Sequence, residues 1–101
     1  MQIVLRIDGE AKTFTTPFIS ARKLRNTMEI GEKFTENITM ETLDEIVDYI
    51  VDIFGNQFTR DQLYDGMASK NLIDTALRCI SEVTGDLNIN LHEINEIEKN
   101  E

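Results

Sequence analysis

The chain has 101 residues, with 19 acidic and 10 basic side chains and a formal net charge of −9. So acidic a balance disfavours sequence-independent binding to nucleic acid, which depends on Lys and Arg meeting phosphates, and attraction to an anionic membrane surface. A hydrophobic share of 41% suits one core and is too high for a wholly disordered acidic chain.

Cys79 is the one cysteine, so no intrachain disulfide is expected and a reducing compartment is the natural setting. The opening MQIVLRIDGE alternates instead of running apolar and does not read as a signal peptide. No apolar run approaches the roughly 18–20 residues of a membrane span, which predicts a soluble, intracellular protein. The charge is unevenly placed. Residues 1–33 are net +2, residues 41–65 net −6 and residues 86–101 net −4. A basic front and an acidic middle can pair with each other or with different partners.

Gln2 to Ile7 has β-branched residues in near-alternation, followed by Asp8-Gly9, a strong two-residue turn signal. With Glu10 to Thr16 this predicts a β-hairpin over residues 2–16, ended by Pro17. Ser20 reads as the N-cap of a helix over about 20–35, with a thin stripe of Leu24, Met28 and Phe34, and Ile30 to one side. Arg22, Lys23 and Arg25 load its first turn, the wrong end for the helix dipole.

The clearest helix is predicted over 40–54. Leu43, Ile46, Val47, Ile50, Val51 and Phe54 form one continuous stripe, and Gly55 is placed as its C′ residue. Asp44, Asp48 and Asp52 make a like-charged column on the other side. Thr59 and Gln62 make a capping box and Phe58 and Leu63 a hydrophobic staple for a short helix over 60–68. Ser69 then caps a last helix over 70–84, with a stripe of Leu72, Ile73, Ala76, Leu77, Ile80 and Val83 ended by Gly85. Residues 86–101 read as an acidic, weakly ordered tail in which Leu87, Ile89 and Leu91 alternate with polar residues. Met40 and Met67 are expected to fill the core. The predicted class is α+β, mostly α: a hairpin and about four helices in one small domain over residues 1–85.

No catalytic, cofactor or metal site is predicted. The carboxylate pairs Asp61/Asp65 and Asp44/Asp48 lie on polar faces, not in an apolar cleft that would separate their pKa values. No general base is placed by the sequence to activate Cys79, and His92 lies in the tail. Asp61 to Gly66 ends like part of a calcium loop, but the alternating oxygen ligands and the distal Glu are missing. The last two helices have a helix-turn-helix spacing, yet the second carries Lys70 and Arg78 against Asp74 and Glu82, a zero balance unsuited to the major groove.

Partner binding is left. Tyr49 and Ile53 stand one turn apart off the main stripe, as do Tyr64 and Met67 on the short helix. With Phe58 they are the candidate partner-binding residues, because aromatic and Met side chains favour interfaces. Two readings stand for them: an apolar groove rimmed by the acidic column, or the edge of a wide core stripe.

Ala21-Arg22-Lys23-Leu24-Arg25, the FGNQFTRDQLYDG block from Phe54 to Gly66, and Ile80-Ser81-Glu82-Val83-Thr84-Gly85 together resemble tail assembly chaperones of long-tailed phages and prophages of Gram-positive bacteria. The resemblance covers roughly residues 20–85, and no part of it is a catalytic signature. It implies a non-enzymatic protein that coats the phage tape measure protein, keeps it soluble, recruits tail tube subunits and is absent from the finished virion. It also implies residence in the host bacterial cytoplasm and, in many such phages, a frameshift-extended form of the same chain; a homo-oligomer is compatible with this. The matched block is expected to be an interaction surface. The competing reading is an acidic DNA mimic that inhibits a host protein, for which Asp44, Asp48 and Asp52 would stand in for phosphates.

Overall fold

The computed structural model describes residues 1–34 and 37–85. Among them the chain runs through strand β1 (Gln2–Ile7), strand β2 (Glu10–Thr15), helices α1 (Arg22–Lys33), α2 (Met40–Ile53) and α3 (Arg60–Gly66), a 3-10 turn (Ser69–Asn71) and helix α4 (Leu72–Thr84). This is the predicted hairpin-then-helices order. The expected tail, 86–101, lies outside the described residues.

The hairpin closes as its sequence demands. Asp8 and Gly9 both take positive φ, 54° and 79°, the twist that a two-residue turn needs to match the strands. Ile7 then pairs with Glu10, Leu5 with Lys12 and Ile3 with Phe14. Period two puts Ile3 and Leu5 into the core and leaves Val4 outside.

Helix α2 is the centre of the fold, with α1, α3 and α4 packed on it. Ile46, Val47, Tyr49, Ile50, Ile53 and Phe54 are all buried. Its end is a Schellman motif: Gly55, at φ 68°, donates to the Asp52 carbonyl, and Asn56 donates to the Val51 carbonyl. At its start Thr39 accepts from the Thr42 N–H at 3.1 Å. The capping box of α3 forms as predicted, with Gln62 N–H bonded to Thr59 Oγ1 (3.1 Å) and Thr59 N–H to Gln62 Oε1 (2.9 Å). Phe58 and Leu63, the staple pair, are both buried.

Helix α1 differs from its prediction. It begins at Arg22 behind Ala21, with no side-chain cap, and Ser20 contributes only its carbonyl, to Lys23 N–H. Its buried face is Thr27 and Ile30, and Met28 is exposed. The thin stripe misled because Thr27 enters the interior by sharing a hydrogen bond with Tyr49, which compensates its polar atom. The last helix also starts later than expected. Ser69 opens a 3-10 turn, and α4 proper begins at Leu72 without a side-chain cap. Met40, expected in the core, is 85% exposed as the first residue of α2.

Candidate functional site

The Phe54–Gly66 block is a joint that ties α2, α3 and the hairpin together. Phe58 stacks on Phe14 at 4.9 Å, edge to face, and on Phe54 at 5.6 Å. The Gln57 amide donates to the carbonyls of Thr15 (2.8 Å) and Phe54 (2.7 Å), stitching the end of β2 to the end of α2. Arg60 reaches back across α2 to Asp48 with a two-pronged contact, Nε–Oδ1 2.8 Å and Nη2–Oδ2 2.6 Å. Gly66 lies against β1, where a Cβ would come within 2.7 Å of the Arg6 carbonyl oxygen.

The acidic column is therefore partnered. Asp48 is bonded to Arg60, which holds its carboxyl below the usual range. Asp52 pairs with Lys23 at 2.7 Å. Asp44 accepts from the Tyr64 hydroxyl at 2.5 Å and lies 3.9 Å from Arg60. Lys33 meets Glu45 at 2.8 Å. So Lys23 and Lys33 of the basic front face the acidic middle within one chain. A row of carboxylates matched this way to cations and a phenol is a poor copy of a phosphate backbone, which presents uncompensated charge.

The predicted partner-binding residues separate into two groups. Tyr49 (6% exposed), Ile53 (2%) and Phe58 (3%) are core side chains, so of the two readings the wide core stripe holds for Tyr49 and Ile53, and Phe58 keeps its place in the staple. The cause is that helices cover α2 on more than one side, so its apolar arc is wider than one stripe. Tyr64 and Met67 are half-buried and come together in one apolar pocket of about 270 Å³. Leu43 of α2, Leu63 of α3, Ser69 of the 3-10 turn, and Leu72 and Ile73 of α4 complete its lining. By helical spacing Met40 continues the surface beyond Leu43, and Leu77 (49% exposed) continues it beyond Ile73. Sequence reasoning assigned Leu43, Leu72, Ile73 and Leu77 to core stripes. The role of Leu43, Leu72 and Ile73 as pocket walls follows from where α3 ends, which no local pattern encodes.

Partial burial and the bond to Asp44 push the Tyr64 phenol up to about 12, so it stays a neutral donor at the rim. The arrangement can hold an apolar side chain, with a fixed polar group and the Arg60 cation beside it. Cys79 is fully buried, and burial pushes its thiol up to about 12, so it offers no thiolate near neutral pH. No described helix is long and apolar enough to cross a membrane.

Among the comparisons with known proteins, a family model described as phage tail chaperone protein matches residues 1–100. Searches of the curated proteins and of the solved structures return no match.

Proposed function

Because the chain belongs to the phage tail chaperone protein family, we propose that it binds the phage tape measure protein before the tail tube is built, keeps it soluble and recruits tail tube subunits. The family match over residues 1–100 carries this reading. The pocket of Tyr64, Met67, Leu43 and Leu72 supports it, since a groove with a flexible Met wall suits the apolar face of a partner helix. In this reading the protein is not an enzyme. It works in the host bacterial cytoplasm and leaves before the virion is complete. A frameshift-extended form shares its fold, and copies of the chain line up along the partner. Weak contacts repeated along one long partner hold strongly together and still release singly. Tyr49, Ile53 and Phe58 serve binding only by holding the α2–α3 joint in shape.

The test is co-expression with the tape measure protein of the same phage, followed by titration of purified complexes. The unmodified chain is expected to co-purify and to raise the soluble yield of the partner. A Tyr64→Ala, Met67→Ala double variant is expected to keep its fold and to lose affinity by tenfold or more, as truncation of interface anchors does. No co-purification and no gain in solubility would overturn the reading. Undiminished affinity of the double variant would move the site elsewhere.

A further inference from the structure

The turn at Asp8-Gly9 fixes which backbone groups of β1 face β2. Ile7 and Glu10 flank it as a hydrogen-bonded pair, so the odd residues of β1 bond inward. The 2.9 Å bond from Thr16 N–H to the Met1 carbonyl continues that series. Gln2, Val4 and Arg6 therefore aim their N–H and C=O groups at the outer edge. At Arg6 the edge is closed by Gly66, whose added Cβ would lie 2.7 Å from the Arg6 oxygen and 3.1 Å from its nitrogen. At Gln2 and Val4 it opens on a groove of about 500 Å³, with Met67, Asn71, Asp74, Thr75 and Arg78 on the opposite wall. Strand groups that open on a groove call for extended backbone, which offers a donor and an acceptor at every second residue.

The wall of the groove narrows the occupant further. Gly66 meets Arg6, and Cys79 Sγ lies 3.9 Å from Met1 Sδ, so the chain from the end of α3 through α4 runs opposite to β1. Arg78 therefore stands toward Gln2, and Asp74 one helical turn nearer Val4. Neither makes an ion pair among the described residues, whereas Lys23, Lys33 and Arg60 all do. Thr75 is 4% exposed, and its hydroxyl has no hydrogen-bond partner among the described residues. A buried hydroxyl left this way costs free energy that a polar group of a ligand recovers. Four residues of α4 advance about 6 Å, and two residues of a strand about 6.6 Å. Side chains two apart on one face of an added strand thus keep step with Asp74 and Arg78. The other face of that strand packs beside Val4, which is 56% exposed.

We propose that this groove takes an extended segment of a partner protein as a third strand on the outer edge of β1. In that segment an acidic and a basic side chain, two residues apart, meet Arg78 and Asp74. The proposal does not depend on the chaperone reading. The probe is the capped peptide Thr-Val-Glu-Val-Lys-Val-Thr, titrated into the whole chain and followed by NMR. Saturable binding is expected, with the Val4 amide exchanging at least about tenfold more slowly in the complex. Thr13, on the opposite edge of the hairpin, is the internal control and should not change. Replacing the Glu of the peptide by Lys, or Arg78→Glu in the chain, should weaken binding by about threefold or more. Protection of the inward-bonded Leu5 amide shows that the variant is folded. Absence of binding overturns the proposal, and so does binding that leaves Val4 exchange unchanged. Affinity indifferent to both charge changes overturns it as well. A Val4 amide already slower than Thr13 without peptide, after correction for intrinsic rates, has the same force, because the chain itself or a second copy then covers the edge.

Discussion

The hydroxyls of Thr27 and Tyr49 lie 2.6 Å apart in the interior between α1 and α2. Thr27 has one proton, and it goes to the Lys23 carbonyl at 2.8 Å, which leaves Tyr49 as the donor to Thr27 Oγ1. The two ends of the bond are thus unequal. Tyr49→Phe leaves Thr27 bonded to Lys23 and should cost about 0.5–1.5 kcal/mol. Thr27→Val strands a buried phenol donor and should cost roughly 1–3 kcal/mol. Urea denaturation of the two variants checks the order. Equal losses would reverse the assignment of donor and acceptor.

Burial also gives the fold a stability limit on the alkaline side. It pushes the Tyr49 phenol from 10.0 up to about 12 and the Cys79 thiol from 9.0 up to about 12. Below about pH 8 both groups are protonated in the folded and unfolded chain alike, and the fold keeps its full stability. Above that, the unfolded chain sheds its protons first and so binds fewer than the folded one. Stability then falls as pH rises from about 9 to about 12, by about 1.4 kcal/mol per pH unit for each group within its own window. Denaturation midpoints measured between pH 8 and 11 should show the decline, and a Tyr49→Phe, Cys79→Ala variant should show a shallower one.

Gly66 and Gly31 should respond in opposite ways to the same substitution. A Cβ on Gly66 would collide with the Arg6 backbone at 2.7 Å, and neither side of that contact is a flexible side chain. Gly66→Ala should therefore push α3 off the hairpin and cost roughly 1–3 kcal/mol. Gly31 lies inside α1 with nothing within 4 Å of an added Cβ. Gly31→Ala should stabilise by roughly 0.5–1 kcal/mol through helix propensity. Thermal melts of the two variants beside the unmodified chain make the comparison.

What could be read from the sequence was what local spacing encodes. The Asp8-Gly9 turn, the Thr59/Gln62 capping box, the Gly55 helix end and the Leu43–Phe54 stripe each lie within a few residues of one another, and each is present. What could not be read depends on partners far along the chain. Thr27 is core only because Tyr49 meets it, and Asp52 and Asp48 are neutralised by Lys23 and Arg60. Tyr49 and Ile53 could be read as a groove edge or as core because the period of α2 alone does not tell how many helices cover it. The FGNQFTRDQLYDG block carries the family resemblance, yet Phe54, Gly55, Gln57, Phe58, Thr59, Leu63 and Gly66 all have structural duties in it. Tyr64 of the block is half-buried and lines the apolar pocket.

Arg60 supplies the acid-side counterpart. Its two bonds to Asp48 favour the carboxylate, so the Asp48 carboxyl titrates below its ordinary value of 3.8 in the folded chain. The sign is the reverse of the phenol case. The contribution to stability is fully present above the ordinary value and is lost as pH falls through the folded one. Both partners are about half exposed, so the change in titration is a sharper readout than any change in stability. In an Arg60→Gln variant the Asp48 carboxyl should titrate closer to its ordinary value. Asp44, which keeps its bond from Tyr64 but lies 3.9 Å from the guanidinium, should move less. Carboxyl carbon shifts followed by NMR from pH 2 to 6 resolve the two groups. An Asp48 titration unchanged by Arg60→Gln would show that the two-pronged contact does not persist in solution.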